Sequence, residues 1–206
     1  MGNSIKRLVT FGCSFTYGAG LEDPNTQAWP AVLGRLTKRT VINNGSIGSS
    51  NLEILARILS FNFQEDDLVV IGWTYCNRDI IFKKDGVDEK ITPWMNGDIF
   101  KNWLAIHNEY DIEVRSGLYI HHAELYLNNL KIKNYGFWAV PGAGKKIDKF
   151  LTRVFNTAPR MPVFVKENTL HKNIMNLVDI APNNSHPGPV AHTVAGGKLY
   201  RIVNEK

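Results

Sequence analysis

Apolar positions along the chain switch between two spacings, and the switches predict a succession of strands and helices. Residues 6–11 (KRLVTF) form a short β-rich run that stops at Gly12. Residues 28–38 carry Trp29, Val32, Leu33 and Leu36 at helical spacing, and residues 40–42 are β-branched and lead into Asn43-Asn44-Gly45. Residues 52–59 read as a second helix with an apolar face of Leu52, Ile54, Leu55, Ile58 and Leu59. Residues 68–71 (LVVI) are continuously apolar, the signature of a strand covered on both sides. Strand, helix, strand, helix, strand in short succession implies right-handed crossovers and a parallel sheet with helices on its faces, an α/β class. Further on, residues 78–117 hold Phe82, Trp94, Phe100, Trp103 and Tyr110 among turn formers and read as an insertion or lid. A helix is predicted over 117–134, a strand over 135–140, and a closing helix over 190–203 behind a polar loop at 181–189. Residues 141–177 show no clear period.

Size and composition narrow this picture. At 206 residues and 44% hydrophobic content, the chain reads as one domain over 1–206 with a proper core. No apolar run approaches the roughly 18 residues of a membrane span, and residues 1–10 lead straight into a strand without a secretory h-region. Two cysteines, Cys13 and Cys76, make neither a disulfide framework nor a zinc site by themselves, so a reducing cytoplasm is expected. The formal charge of +5 comes from 24 Lys and Arg spread along the chain, which favours a basic soluble surface over a nucleic-acid partner. Nothing speaks to oligomeric state.

In open parallel sheets, ligands bind beyond the carboxyl ends of the strands, and four polar loops fall there. They are Gly12-Cys13-Ser14-Phe15-Thr16, the run from Asn43 to Ser50, the run from Gly72 to Asn77, and Asn183-Asn184-Ser185-His186-Pro187. A serine is a poor nucleophile until a base takes its proton, and histidine does this best near neutrality. The tetrahedral oxyanion then needs donors positioned in advance. The four loops offer Ser14 as nucleophile, His186 as base, the N–H groups of Ser14 and Gly48 as donors, and a side-chain amide or hydroxyl from the third loop. Other clusters read as structural: His121-His122 are adjacent on a helix and point apart, Gly142-Ala143-Gly144-Lys145-Lys146 lacks the full phosphate-loop pattern, and Cys13 turns toward the core. Trp73 and Tyr75 read as core aromatics before sugar-stacking ones.

The set Gly12-Cys13-Ser14-Phe15, Asn44-Gly45-Ser46-Ile47-Gly48, Ile71-Gly72 running to Asn77, and His186-Pro187 resembles the SGNH/GDSL hydrolases. It is most similar to the branch that writes its first block G-C-S-F-T. The likeness covers about residues 1–75 and the final HPGPVAH, with Ala191 at a glycine position and His192 as second histidine. The resemblance implies a three-layer α/β/α sandwich with a parallel, flavodoxin-like sheet. It also implies hydrolysis of a small-molecule ester, often an acetylated carbohydrate, with no metal or organic cofactor. It places the family serine on Ser14, the block-two glycine on Gly48 and the histidine on His186. Two departures matter. The family acid falls on Asn183, so a Ser-His dyad suffices, or another acid such as Asp179 substitutes, or activity is low. The block-three asparagine position holds Thr74, leaving Thr74 or Asn77 as the third oxyanion donor. The alternative reading is a catalytically silent protein of the same fold with a carbohydrate-binding or structural role.

Overall fold

Period-two alternation within the strands decides which helices cover which face. Leu8, Leu68 and Val70 side with one apolar cluster, while Val9, Phe11, Val69 and Ile71 side with the other. A computed structural model describes residues 6–84, 86, 88–94, 98–140, 179–181, 183 and 185–205. In chain order, β1 (Arg7–Gly12) leads into the short turn α1 (Ser14–Tyr17), then α2 (Pro24–Gln27), α3 (Trp29–Thr37) and β2 (Thr40–Gly45). Next come α4 (Asn51–Leu59), β3 (Leu68–Trp73), a hairpin of β4 (Asp79–Ile81) and β5 (Glu89–Ile91), and α5 (Asp98–Ile106). The described chain continues with α6 (Glu109–Asn129), β6 (Lys133–Trp138) and α7 (Pro189–Asn204).

The main sheet has the order β2-β1-β3-β6 with every neighbouring pair parallel. Helices α3 and α7 pack on the face of Leu8, Leu68, Val70 and Phe137, where Trp29 meets Phe137 edge-on at 5.4 Å between ring centroids. Helices α4 and α6 cover the opposite face through Ile54, Leu55, Ile58, Ile120, Ala123 and Leu127. The protein is thus a three-layer α/β/α sandwich, and each large buried side chain contributes about 1.5–3 kcal/mol.

Several boundaries differ from the sequence expectation: β3 runs on to Trp73 rather than ending at residue 71, and β6 spans Lys133–Trp138 rather than 135–140. Strand β2 runs to Gly45 rather than ending at residue 42, because Asn43, Asn44 and Gly45 pair with Thr10, Phe11 and Gly12. An edge strand tolerates such polar residues, and Asn43 Oδ1 accepts the Thr10 hydroxyl at 3.2 Å. Helix α6 begins at Glu109, not 117, since the Asn108 side chain caps it by accepting the Asp111 N–H at 2.9 Å. It stops before Lys131, which takes a left-handed φ of 58° and turns the chain into β6 at Lys133. Residues 78–117 therefore hold the β4–β5 hairpin, α5 and the first turns of α6. The period-free stretch 141–177 and the Gly142–Lys146 turn lie outside the described residues.

His192 ties the two helices of one layer together. Fully buried on α7, its Nδ1 accepts the N–H of Trp29, the first residue of α3, at 3.1 Å. That bond satisfies one of the orphan donors of a helix start. Burial pushes the imidazole pKa down to about 4, with Asp179 opposing and His186 reinforcing the shift. The unfolded chain, with an ordinary histidine pKa of about 6.5, takes up this proton first. Stability is therefore whole above pH 6.5 and falls as pH drops through 6.5 toward 4, by about 3 kcal/mol. Thermal midpoints measured across that window are expected to fall less steeply in His192→Asn, whose side-chain oxygen accepts the same bond without titrating. Equal slopes would assign the acid sensitivity elsewhere.

Candidate active site

Three glycines stand side by side at the carboxyl edge of the sheet: Gly45 on β2, Gly12 on β1 and Gly72 on β3, in register. Their missing side chains make room for α1. A Cβ on Gly12 would lie 2.0 Å from Thr16 Oγ1, one on Gly45 2.4 Å from the Tyr17 nitrogen, and one on Gly72 2.7 Å from Thr16 Oγ1. The helical turn that starts at Ser14 therefore sits directly on the strand ends. Cys13 O accepts the N–H groups of Thr16 and Tyr17, and the Asn43 amide donates to Thr16 O at 3.0 Å. Ser14 itself is 4% exposed. As the first residue of a helical turn, its N–H has no intrahelical acceptor.

The second loop is fastened to the same edge. Gly12 O accepts both the Ser46 N–H at 3.0 Å and Arg57 Nη2 at 3.1 Å, and that same Nη2 donates to Ser49 Oγ at 3.0 Å. Gly48 has a left-handed φ of +73°, and Lys90 of β5 lies over it. Lys90 Nζ donates to Ile47 O at 2.9 Å and pairs with Glu53 at 3.3 Å. Glu53 in turn completes the capping box with Ser50 at the start of α4. Asn51 joins this loop to the third: its amide oxygen accepts the Thr74 N–H at 2.9 Å and its amide nitrogen donates to Thr74 O at 3.2 Å. Thr74 has no exposed surface and its hydroxyl is enclosed without a hydrogen-bond partner. Asn77 is half-buried, with an enclosed, unpaired Oδ1.

The fourth loop returns to the first. The His186 ring packs edge-on against Phe15, the neighbour of Ser14, at 5.6 Å between ring centroids. The Asn183 side chain lies against Gly20, where a Cβ would be 2.5 Å from its Nδ2. Nδ1 of His186 faces two groups, Asn183 Nδ2 at 3.0 Å and Ser185 Oγ at 2.9 Å, while Asn183 Oδ1 accepts the Ser185 N–H at 3.2 Å. Among the described residues no hydrogen bond joins Ser14 to His186. Burial, and secondarily the charge of Arg78, hold the His186 pKa below its ordinary value, which keeps the imidazole neutral and able to accept a proton near pH 7. Asp179 does not reach this imidazole: its two oxygens accept the N–H groups of Val190 at 2.9 Å and Ala191 at 2.7 Å, capping α7. Cys13 is buried, as its position beside the core predicts, and Cys76 is half-buried; neither is in a disulfide. Trp73 is wholly buried, and Tyr75 packs partly buried against the same core. His121 and His122 lie on α6, and no group of three His, Cys, Asp or Glu side chains suited to a metal gathers among the described residues.

Sequence reasoning missed Asn51, Arg57 and Arg78. In the sequence Asn51 precedes the 52–59 helix, Arg57 lies off its apolar face and Arg78 opens the 78–117 stretch, and none of them belongs to a motif. Only folding brings Asn51 against Thr74, Arg57 against Gly12 and Arg78 beside Cys13 and His186.

No protein-family model and no curated protein sequence matches this chain. Solved structures do match it. A member of the lipolytic protein G-D-S-L family from Veillonella parvula DSM 2008 superposes with a TM-score of 0.56 at 12% identity, over 95% of this chain and 97% of that one. A catalytic mutant of an acetylxylan esterase from Geobacillus stearothermophilus gives 0.56 at 13% identity, over 100% and 97%. A carbohydrate esterase whose active site displays divergent catalytic and non-catalytic binding functions gives 0.60 at 12% identity, over 100% and 67%. Among the described residues no helix is long and apolar enough to cross a membrane. The parallel sheet, its two helical layers and these likenesses together give the chain the fold of the SGNH/GDSL hydrolases.

Proposed function

We propose that the protein is a serine hydrolase acting on esters, with an acylated small molecule or acetylated carbohydrate as substrate. The observation that carries this reading is the convergence of two distant segments on one sheet edge: the His186 ring rests on Phe15, next to Ser14. In the reaction, His186 Nε2 takes the Ser14 proton as Ser14 Oγ attacks the ester carbonyl. The proton passes to the leaving alcohol, and water, deprotonated by the same imidazole, releases the acid and restores Ser14. The N–H groups of Ser14 and Gly48 receive the oxyanion. Asn77 is the better third donor, because it keeps some surface while Thr74 keeps none. The hairpin β4–β5 and the residues after it act as a lid, anchored to the second loop by Lys90.

A second reading, non-catalytic carbohydrate binding, is favoured by one feature: an amide, not a carboxylate, faces His186 Nδ1. A fluorophosphonate probe separates the two. Covalent labelling of the native chain is expected at Ser14, with none in Ser14→Ala. A folded native chain that stays unlabelled would favour the silent binder.

A further inference from the structure

Arg78 is the charge at this site that the proposed reaction leaves unused. It stands between the third loop and β4 and is 8% exposed. Its Nε and Nη1 atoms are enclosed and have no hydrogen-bond partner. The carboxylate next to it in sequence is occupied elsewhere: Asp79 Oδ1 accepts the Ile80 N–H at 2.9 Å, and Oδ2 pairs with Arg115 at 3.4 Å. Among the described residues no acidic side chain forms an ion pair with Arg78. Two aromatic rings lie against the guanidinium instead, its Cζ 5.0 Å from the Tyr75 ring centroid and 4.4 Å from that of Trp94. Trp94 comes from the segment after β5, so the proposed lid closes over this cation.

A buried cation without a counter-charge is unfavourable by several kcal/mol, and cation–π stacking recovers only part of that. The N–H donors of a guanidinium that lacks a carboxylate partner match the two oxygens of one. The guanidinium lies beside the Cys13 side chain, one residue before Ser14, and its charge is felt by His186.

We infer that Arg78 binds an anionic group of the substrate, and that the ester cleaved here carries a carboxylate close to its scissile bond. This inference rests on the hydrolase reading for the word "substrate", but the anion site itself does not. The carboxylate belongs either to the acyl part, as in the half-ester of a dicarboxylic acid, or to the alcohol part, as in an acylated uronic acid.

Binding is tested without catalysis. Succinate is expected to raise the thermal midpoint of the native protein, whereas its uncharged diamide, succinamide, does not. Equal responses to the two, or none to either, would overturn the anion site. Arg78→Met removes the charge at similar volume, and its midpoint in anion-free buffer should be at or above that of the native chain, since an unpaired buried charge is gone. Its response to succinate should vanish while Arg78→Lys keeps part of it; a full response in Arg78→Met would place binding elsewhere. A larger shift with glucuronate than with succinate assigns the carboxylate to the alcohol side, and the reverse assigns it to the acyl side.

Catalysis supplies the second arm. The native protein is expected to cleave p-nitrophenyl hemisuccinate with kcat/KM at least tenfold above that for p-nitrophenyl acetate, and Arg78→Met to lose the preference. Equal kcat/KM for the two esters, together with a glucuronate shift no larger than the succinate shift, would overturn the substrate assignment. Failure to cleave either ester, with the succinate response intact, would remove the hydrolase reading and leave the anion site standing.

Discussion

Asn183→Asp is expected to raise kcat/KM for p-nitrophenyl acetate by about 10²–10⁴-fold. The reason is the proton on His186. In the native protein Nδ1 faces an amide nitrogen, Asn183 Nδ2, at 3.0 Å. A donor there favours an unprotonated Nδ1, hence a proton on Nε2, the nitrogen that must be empty to accept from Ser14. The Ser185 hydroxyl, 2.9 Å from Nδ1, can accept an Nδ1–H and sustains the productive tautomer for part of the population. Aspartate is isosteric with asparagine and fits the same place against Gly20. Its carboxylate would hold the proton on Nδ1 and stabilise the imidazolium formed during attack. It would also raise the His186 pKa, now depressed by burial and by Arg78, so the acidic limb of the pH–rate profile should move to higher pH. An unchanged kcat/KM and an unmoved limb would show that the imidazole tautomer does not govern the rate.

The second large effect concerns the glycine row. Gly12→Ala is expected to destabilise the protein by about 3 kcal/mol, lowering the thermal midpoint by roughly 6–12 °C. The added methyl would meet Thr16 Oγ1 at 2.0 Å and Gly72 O at 2.8 Å. Neither can yield cheaply, since Thr16 is fully buried in the α1 turn and Gly72 O belongs to the neighbouring strand. The turn bearing Ser14 must lift, so fluorophosphonate labelling should fall together with stability. Gly197→Ala provides the opposite sign from the same substitution. That position lies within α7 with nothing within 4 Å of the added carbon, so helix propensity alone acts and stability should rise by about 0.5–1 kcal/mol. A Gly12→Ala protein as stable as the native one would mean that the strand ends tolerate a side chain beneath the turn.

Local and repetitive features are legible in the residues themselves. Continuous apolar runs such as LVVI and helical spacing around Trp29–Leu36 report directly on burial and period, so the parallel sheet and its two helical layers follow from the residues alone. Polar strand ends are harder. Asn43 and Asn44 look like a loop, yet they extend β2 because a ladder partner in β1 outweighs their low β propensity. The start of α6 at Glu109 turns on a single cap, Asn108, which a helical period cannot reveal.

Three of the four polar breaks stand at the edge of the sheet by the sequence itself, since they end or follow β1, β2 and β3, whereas among the described residues the fourth follows Ile180, which makes only an isolated bridge to Pro187. What surrounds each of them was decided by the tertiary structure. Asp179 and Asn183 are both acid-position candidates in the sequence, but folding commits Asp179 to the N-terminus of α7 and leaves the Asn183 amide on His186. Arg78 is one cation among the 24 lysines and arginines of the chain until Tyr75 and Trp94 close over it. Charge, hydrogen-bond supply and solvent exposure depend on neighbours far apart along the chain, and a linear pattern does not encode those neighbours.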